Sequence, residues 1–245
     1  MKKRYGLLMV WFVLVLTVSA VLASPLSYWR TLVSGYLPNS VTLHQLDGRL
    51  WDGRVRFSLA RFNGPIGLQW RKTSLMSPIS IQIDHALFQG WGEAVVSMKR
   101  LALWVDAAQI KPELLLPFTR ANKVTIKGDP LVIERLFVEF DYNSPLPSTW
   151  RGNGHWSAGQ VDYPIGRNMH TAALEKLQFE WLTQKGNNSM TLQSALGVLL
   201  ASVELTPQQE AQIAIMPALL KAVGQPWSGS MEYPVMVIVE PLLKR

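Results

Sequence analysis

Leu46-Asp47-Gly48-Arg49-Leu50-Trp51-Asp52-Gly53-Arg54-Val55-Arg56-Phe57-Ser58-Leu59 decides the fold class of this chain. From Arg54 to Leu59 polar and apolar side chains alternate strictly, the pattern of a strand with one wet face and one dry face. Upstream, Val41 to Leu46 alternates less regularly. Gly48 and Gly53 lie between the two runs as turn signals. Neighbouring strands joined by so short a turn pair antiparallel.

The same pattern recurs outward. Ile79-Ser80-Ile81-Gln82-Ile83-Asp84 and Leu101-Ala102-Leu103-Trp104-Val105-Asp106 alternate, with Asn63-Gly64-Pro65, Ser77-Pro78 and Gly90/Gly92 as punctuation. Pro112 to Pro117 reads as one helical turn, and Leu131 to Tyr142 as a longer strand. Further strands are expected near Trp150–Trp156, Leu174–Leu182, Met190–Gln193 and Val198–Leu205, with a last one from Ser230 to Glu240. Asn143 to Thr149, which holds Pro145 and Pro147, is the expected boundary between a first β-unit over 41–142 and a second over 150–245. Gly48…Trp51…Gly53…Val55 resembles Gly154…Trp156…Gly159…Val161, which as a repeat implies two tandem β-units.

One segment departs from the β pattern. Thr206-Pro207-Gln208-Gln209-Glu210 offers an N-cap, a proline at the first helical position and an acid in the first turn. Ile213, Met216, Leu219, Leu220 and Val223 share a helical face, so a helix over 207–223 is expected, stopped by Gly224 and Pro226. The fold expected overall is mainly β and antiparallel, with one N-terminal transmembrane helix and a short C-terminal helix.

The N-terminus carries its own information. Lys2, Lys3 and Arg4 precede a run without charge from Tyr5 to Trp29. A helix over 6–24 spans about 28 Å, the thickness of a bilayer's hydrocarbon core. The basic residues 1–5 then stay cytoplasmic, 25–40 is a linker, and the remaining chain lies in the periplasm beyond the inner membrane. A cleaved signal peptide, with Val21-Leu22-Ala23 before Ser24, is the competing reading. Both put the body outside the cytoplasm.

Composition narrows the chemistry. Hydrophobic residues make up 48% and charged residues 17%, too apolar for a disordered chain. The basic tail supplies three of the seven net positive charges. The remaining excess is scattered, so no nucleic-acid partner is expected. The absence of cysteine excludes disulfides and thiolate sites. His44, His85, His155 and His170 follow no metal-ligand spacing, and no nucleophile elbow, phosphate loop or dinucleotide fingerprint is present. No catalytic, cofactor or metal residue is therefore nominated. A pocket gathering two or more of His44, His85, Asp47 and Asp52 would revive an enzyme reading. Trp51, Trp70, Trp104, Trp150, Trp156 and Trp181 fall in strand-like segments, as core or as an exposed aromatic row.

The layout resembles the protein N family of the bacterial type II secretion system. The resemblance rests on the basic N-terminus with its single apolar segment, and on Leu37-Pro38 followed by a strand. It rests further on the Gly48, Leu50, Trp51, Gly53 motif and on the Leu68-Gln69-Trp70 strand after it. Val223-Gly224-Gln225-Pro226 before a glycine-bearing last strand is similar to the family's ending, although Ser228-Gly229 stands where Asp-Gly is usual. The resemblance implies an inner-membrane protein with a periplasmic β-rich body, a curved antiparallel sheet that is open and groove-like, accessory to the export of folded proteins and acting through other subunits of that machine. It implies no catalytic residues. The alternative function is a lipid-binding or lipid-transfer module whose sheet shields acyl chains.

Overall fold

The computed structural model describes residues 16, 19, 23–60, 62, 64–74, 76–119, 123–144, 146–184, 186–206 and 208–241. Among the described residues the chain is mainly β and antiparallel, with few and short helices. The expected anchor over 6–24 lies outside the described residues except for Leu16, Ser19, Ala23 and Ser24. Among the described residues no helix is long and apolar enough to cross a membrane. Two compact units follow one another, the first up to His85 and the second from Ala86.

In the first unit a 3-10 turn (Leu26–Trp29) runs into helix α1 (Arg30–Tyr36), inside the stretch expected as a linker. Then come β1 (Val41–Arg49), β2 (Asp52–Leu59), β3 (Ile66–Lys72) and β4 (Ile79–His85), each paired to the next. The imperfect alternation between Val41 and Leu46 has a structural cause. A bulge between Leu43 and Gln45 shifts the register of β1 on β2, so the side-chain period slips by one.

The second unit holds β5 (Phe88–Val96), β6 (Arg100–Ile110), β7 (Thr125–Gly128), β8 (Leu131–Asp141), β9 (Pro147–Ile165), β10 (Asn168–Gln184), β11 (Asn187–Ser194), β12 (Leu199–Leu205), β13 (Glu210–Ile215) and β14 (Met236–Pro241). Each pairs with its sequence neighbour, except that β8 follows β6 in the sheet and β7 sits beside the far part of β9. Between β6 and β7 the chain makes a 3-10 turn (Pro112–Leu115) and helix α2 (Leu116–Thr119). Residues 143–149, expected as a boundary between halves, form the connection between β8 and β9 and the start of β9.

The helix expected over 207–223 is corrected by the structure. Residues Glu210–Ile215 are strand β13, and only Pro217–Ala222 is helical, as α3. The turn chemistry at Thr206 serves a hairpin instead of an N-cap. Thr206 N–H donates to Glu210 O, Gln209 N–H to Thr206 O, and Glu210 N–H to Thr206 Oγ1. Pro217 explains the late start, because a proline inside a helix removes a hydrogen bond and clashes with the preceding turn, whereas at the first position it costs nothing. Gly224, at φ +76, ends the helix as expected. The last strand is also shorter than the expected Ser230–Glu240 and begins at Met236.

The core of the second unit is formed by Trp156, Leu174, Leu177 and Leu200. Ala218, Leu219 and Val223 of the α3 region pack on it from above the sheet. Burial of each large apolar side chain there stabilises the unit by roughly 1.5–3 kcal/mol. The end of α3 is tied down by Tyr163, whose hydroxyl donates to Val223 O at 3.0 Å and receives Gln225 Nε2–H at 3.1 Å.

Candidate functional site

The motif residues of the first unit build a hairpin fastened by an indole. Leu50 and Trp51 form the turn between β1 and β2, with Gly48 opposite Gly53 in the register. Gly48 has φ +90, a conformation that favours glycine. Trp70 on β3 pairs with Gly53, and its ring lies where a side chain at Gly53 would be, since a Cβ there would come within 2.7 Å of Trp70 Cε2. Its Nε1–H donates to Leu50 O at 2.9 Å, and Trp51 O accepts from Lys72 N–H at 2.6 Å. Gly48, Leu50, Trp51, Gly53 and Trp70 thus come together. Trp51 and Trp70 are half-buried, Leu50 is exposed, and what the five residues build is a locked turn.

The other residues considered for chemistry take separate partners. His44 shares a hydrogen bond of 2.7 Å with Ser58 Oγ, Asp47 accepts from Gln45, and Asp52 lies 3.7 Å from Arg71. His85 is buried beside Gly64. Among the described residues no three His, Asp or Glu side chains are placed to hold a metal ion.

The second unit presents a two-faced sheet whose faces differ in kind. On one face the register carries an apolar row from strand to strand: Val105, Leu136, Trp181, Met190, Val203, Ile213 and Ile238, interrupted only by Gly152. A second row, Ala108, Ile133, Gly154, Phe179, Leu192, Ala201, Ile215 and Met236, runs beside it. Most of these side chains are half-buried. The row that continues this face into Trp156 and Leu177 is the one covered by α3. The face ends at β14, where Met236, Val237 and Val239 are 47%, 52% and 49% exposed. β14 pairs with β13 on one side, and among the described residues no strand pairs with its other side.

The opposite face is polar and holds a cleft of about 870 Å³. Trp104 on β6 pairs with Phe137 on β8, their rings 5.1 Å apart and tilted by 43°. Arg151 on β9 lies beside Phe137, and Arg135, Asn153 and Glu180 form the next row. A bulge between Ile133 and Arg135 turns the additional residue, Glu134, toward β9. Glu134 accepts a hydrogen bond from Asn153 Nδ2 and lies 2.9 Å from His155 Nδ1. The sequence did not announce this cluster, because its members come from different strands and meet only through register. The bulge and the cross-strand pairs would have been needed to find it.

Of the tryptophans, Trp156 is buried at 4% exposure, while Trp91 and Trp104 are 57% and 39% exposed on the polar face. The aromatic residues therefore divide between core and surface. Comparison of the chain with protein-family models, with curated proteins and with solved structures gives no match.

Proposed function

We propose that this chain is an accessory component of a type II secretion system, held in the inner membrane by residues 6–24 with its body in the periplasm, and that it acts by contact with other subunits rather than by catalysis. The observation that carries the contact reading is strand β14. Among the described residues no strand pairs with its outer side, and Met236, Val237 and Val239 expose apolar surface on both of its faces. Such an edge accepts a further strand through main-chain hydrogen bonds, with alternate side chains setting specificity. The resemblance of the Gly48–Gly53 hairpin with Trp70 to the protein N family supports the assignment to that machine.

The test is a photo-crosslinking amino acid at Val237 or Val239 in membranes of a secreting cell. The adduct is expected to contain a type II secretion subunit identified by mass spectrometry. The same probe at Thr42, exposed on β1, is expected to give a different pattern. Absence of any secretion-system peptide from the Val237 and Val239 adducts sinks the assignment.

A second reading, lipid binding, is favoured by a different observation: the apolar rows through Trp181, Met190 and Val203 are only half-buried and continue beyond the part covered by α3. A sheet curved around those rows shields acyl chains as an open groove. A crosslinker at Met190 is then expected to capture lipid. If it captures protein alone, the groove reading fails.

A further inference from the structure

We propose that the cleft on the polar face of the second unit is a carbohydrate site that binds a short oligosaccharide. Sugars present two surfaces at once: rings of C–H groups that stack on aromatic faces, and hydroxyls that both donate and accept hydrogen bonds. A site for them needs an aromatic platform beside planar polar side chains. Trp104, held against Phe137 at 5.1 Å and 39% exposed, is such a platform. The planar groups follow in register: Arg151 beside Phe137, then Asn153 and Glu180, then Gln178 beside His155.

Two features favour this ligand class over others. The first is charge. Arg135, Arg151 and Lys176 face Asp106, Glu134 and Glu180 in the same cleft, so the cations are matched and a polyanion gains little there. A balanced set of donors and acceptors suits a ligand that is neutral and both donor and acceptor. The second is the state of the polar groups. Glu134 is already fixed by Asn153 and His155, which lowers the ordering cost of binding. The guanidinium groups of Arg135 and Arg151, the amide of Gln178 and the carboxylate of Glu180 make no hydrogen bond or ion pair with any described residue and remain open for a ligand. The cleft volume of about 870 Å³ lies high in the range of small-molecule sites, about 300–1,000 Å³, which is room for more than one sugar ring. Its lining includes Gly152 and Gly154 of β9.

The test is isothermal titration of the full chain in detergent with chitotetraose and, separately, maltotetraose, together with vesicles bearing or lacking a lipid-linked glycan. Saturable binding of at least one soluble oligosaccharide is expected. Trp104→Ala is expected to weaken it by at least about tenfold, and Arg151→Gln, an exposed change with little reason to disturb folding, by several-fold. Vesicles are expected to bind only when they carry the glycan, which identifies a glycolipid as one source of the same chemistry. Three results overturn the proposal: no saturation by either oligosaccharide up to about 10 mM, undiminished binding by both variants, or tighter binding of polyphosphate than of any sugar.

Discussion

Two tryptophans perform the same task in the two units, in different surroundings. In the first unit Trp70 lies over Gly53 on the neighbouring strand and donates its indole N–H to Leu50 O, at 2.9 Å, in the adjoining turn. In the second, Trp156 lies over Gly159 on its own strand and donates to Asp129 O, at 2.7 Å, in the turn that leads from β7 into β8. Each ring fills the space that a missing side chain leaves, and each N–H satisfies a turn carbonyl that a regular ladder would not reach. The difference is burial: Trp156 belongs to the core with Leu174, Leu177 and Leu200, whereas Trp70 is half-buried. The apparent repeat in the sequence paired Trp51 with Trp156, but Trp51 is a hairpin-turn residue. The residue that matches Trp156 in role is Trp70, on the next strand.

The largest expected effect separates the two by burial. Trp156→Ala leaves a large void in the core and is expected to destabilise the second unit by about 3–5 kcal/mol. Trp70→Ala removes a ring that water already reaches in part and is expected to cost less than half as much. Urea denaturation followed by circular dichroism measures both. Equal losses would mean that burial is not what distinguishes the pair.

The glycines give the next test. A Cβ at Gly159 overlaps the Trp156 ring, and one at Gly53 overlaps the Trp70 ring. Gly159→Ala and Gly53→Ala are each expected to cost about 1–3 kcal/mol through overpacking. The tryptophan and glycine of one couple are in contact, so their losses are not additive. In a double-mutant cycle, Gly159→Ala made in the Trp156→Ala background should be milder by about 0.5–3 kcal/mol. Additive losses would show that the glycine is required for its backbone and not for the ring.

These couples also mark the limit of what the sequence discloses. The alternating runs at Arg54–Leu59, Ile79–Asp84 and Leu101–Asp106 are legible because one face is wet, and they are strands β2, β4 and β6. Glycine misleads in longer strands. Gly90, Gly92 and Gly159 look like punctuation, yet Gly90 and Gly92 lie inside β5 and Gly159 inside β9. They are needed there for close approach, as at Gly159, not for turning. The segment Glu210–Ile215 satisfies both periods, since Ala211, Ile213 and Ile215 alternate while Ile213, Met216 and Leu220 share a helical face. Pairing with β12 and β14 decides for the strand, and no local signal encodes that. The cleft on the polar face is less legible still. Trp104, Phe137, Arg151 and Gln178 are far apart in the chain and meet through the register of β6, β8, β9 and β10.

A smaller effect isolates the indole N–H from the ring. Trp156→Phe and Trp70→Phe keep most of the apolar surface but leave Asp129 O and Leu50 O without their donors. The expected loss is about 0.5–1.5 kcal/mol for each hydrogen bond. It should be greater at Trp156, because water replaces the donor less easily in the core. Amide hydrogen exchange at Asp129 and at Trp51 would localise the change. Faster exchange spread over the whole unit would instead point to general loosening.

The smallest expected effect concerns the strand that Trp156 helps to dock. β7 pairs with β9 through Thr125–Gly128, and beside that pairing Lys127 Nζ lies 3.1 Å from Asp162 Oδ2. Hydrogen bonds from Gln160, Thr171 and Lys127 hold the Asp162 carboxylate ionised and lower its pKa from 3.8 to about 2. A lowered pKa means that folding favours the charged form. Its contribution is therefore complete above the ordinary value of 3.8 and is lost as pH falls toward about 2. Asp162→Asn removes that dependence without removing the Trp156 bond to Asp129 O. Hydrogen exchange of the Thr125–Gly128 amides is expected to quicken between pH 4 and 2, beyond the intrinsic pH trend, in the natural chain and to show no such step in the variant. If β7 loosens equally in both, the indole alone holds that strand, and the carboxylate network on its flank is incidental to the docking.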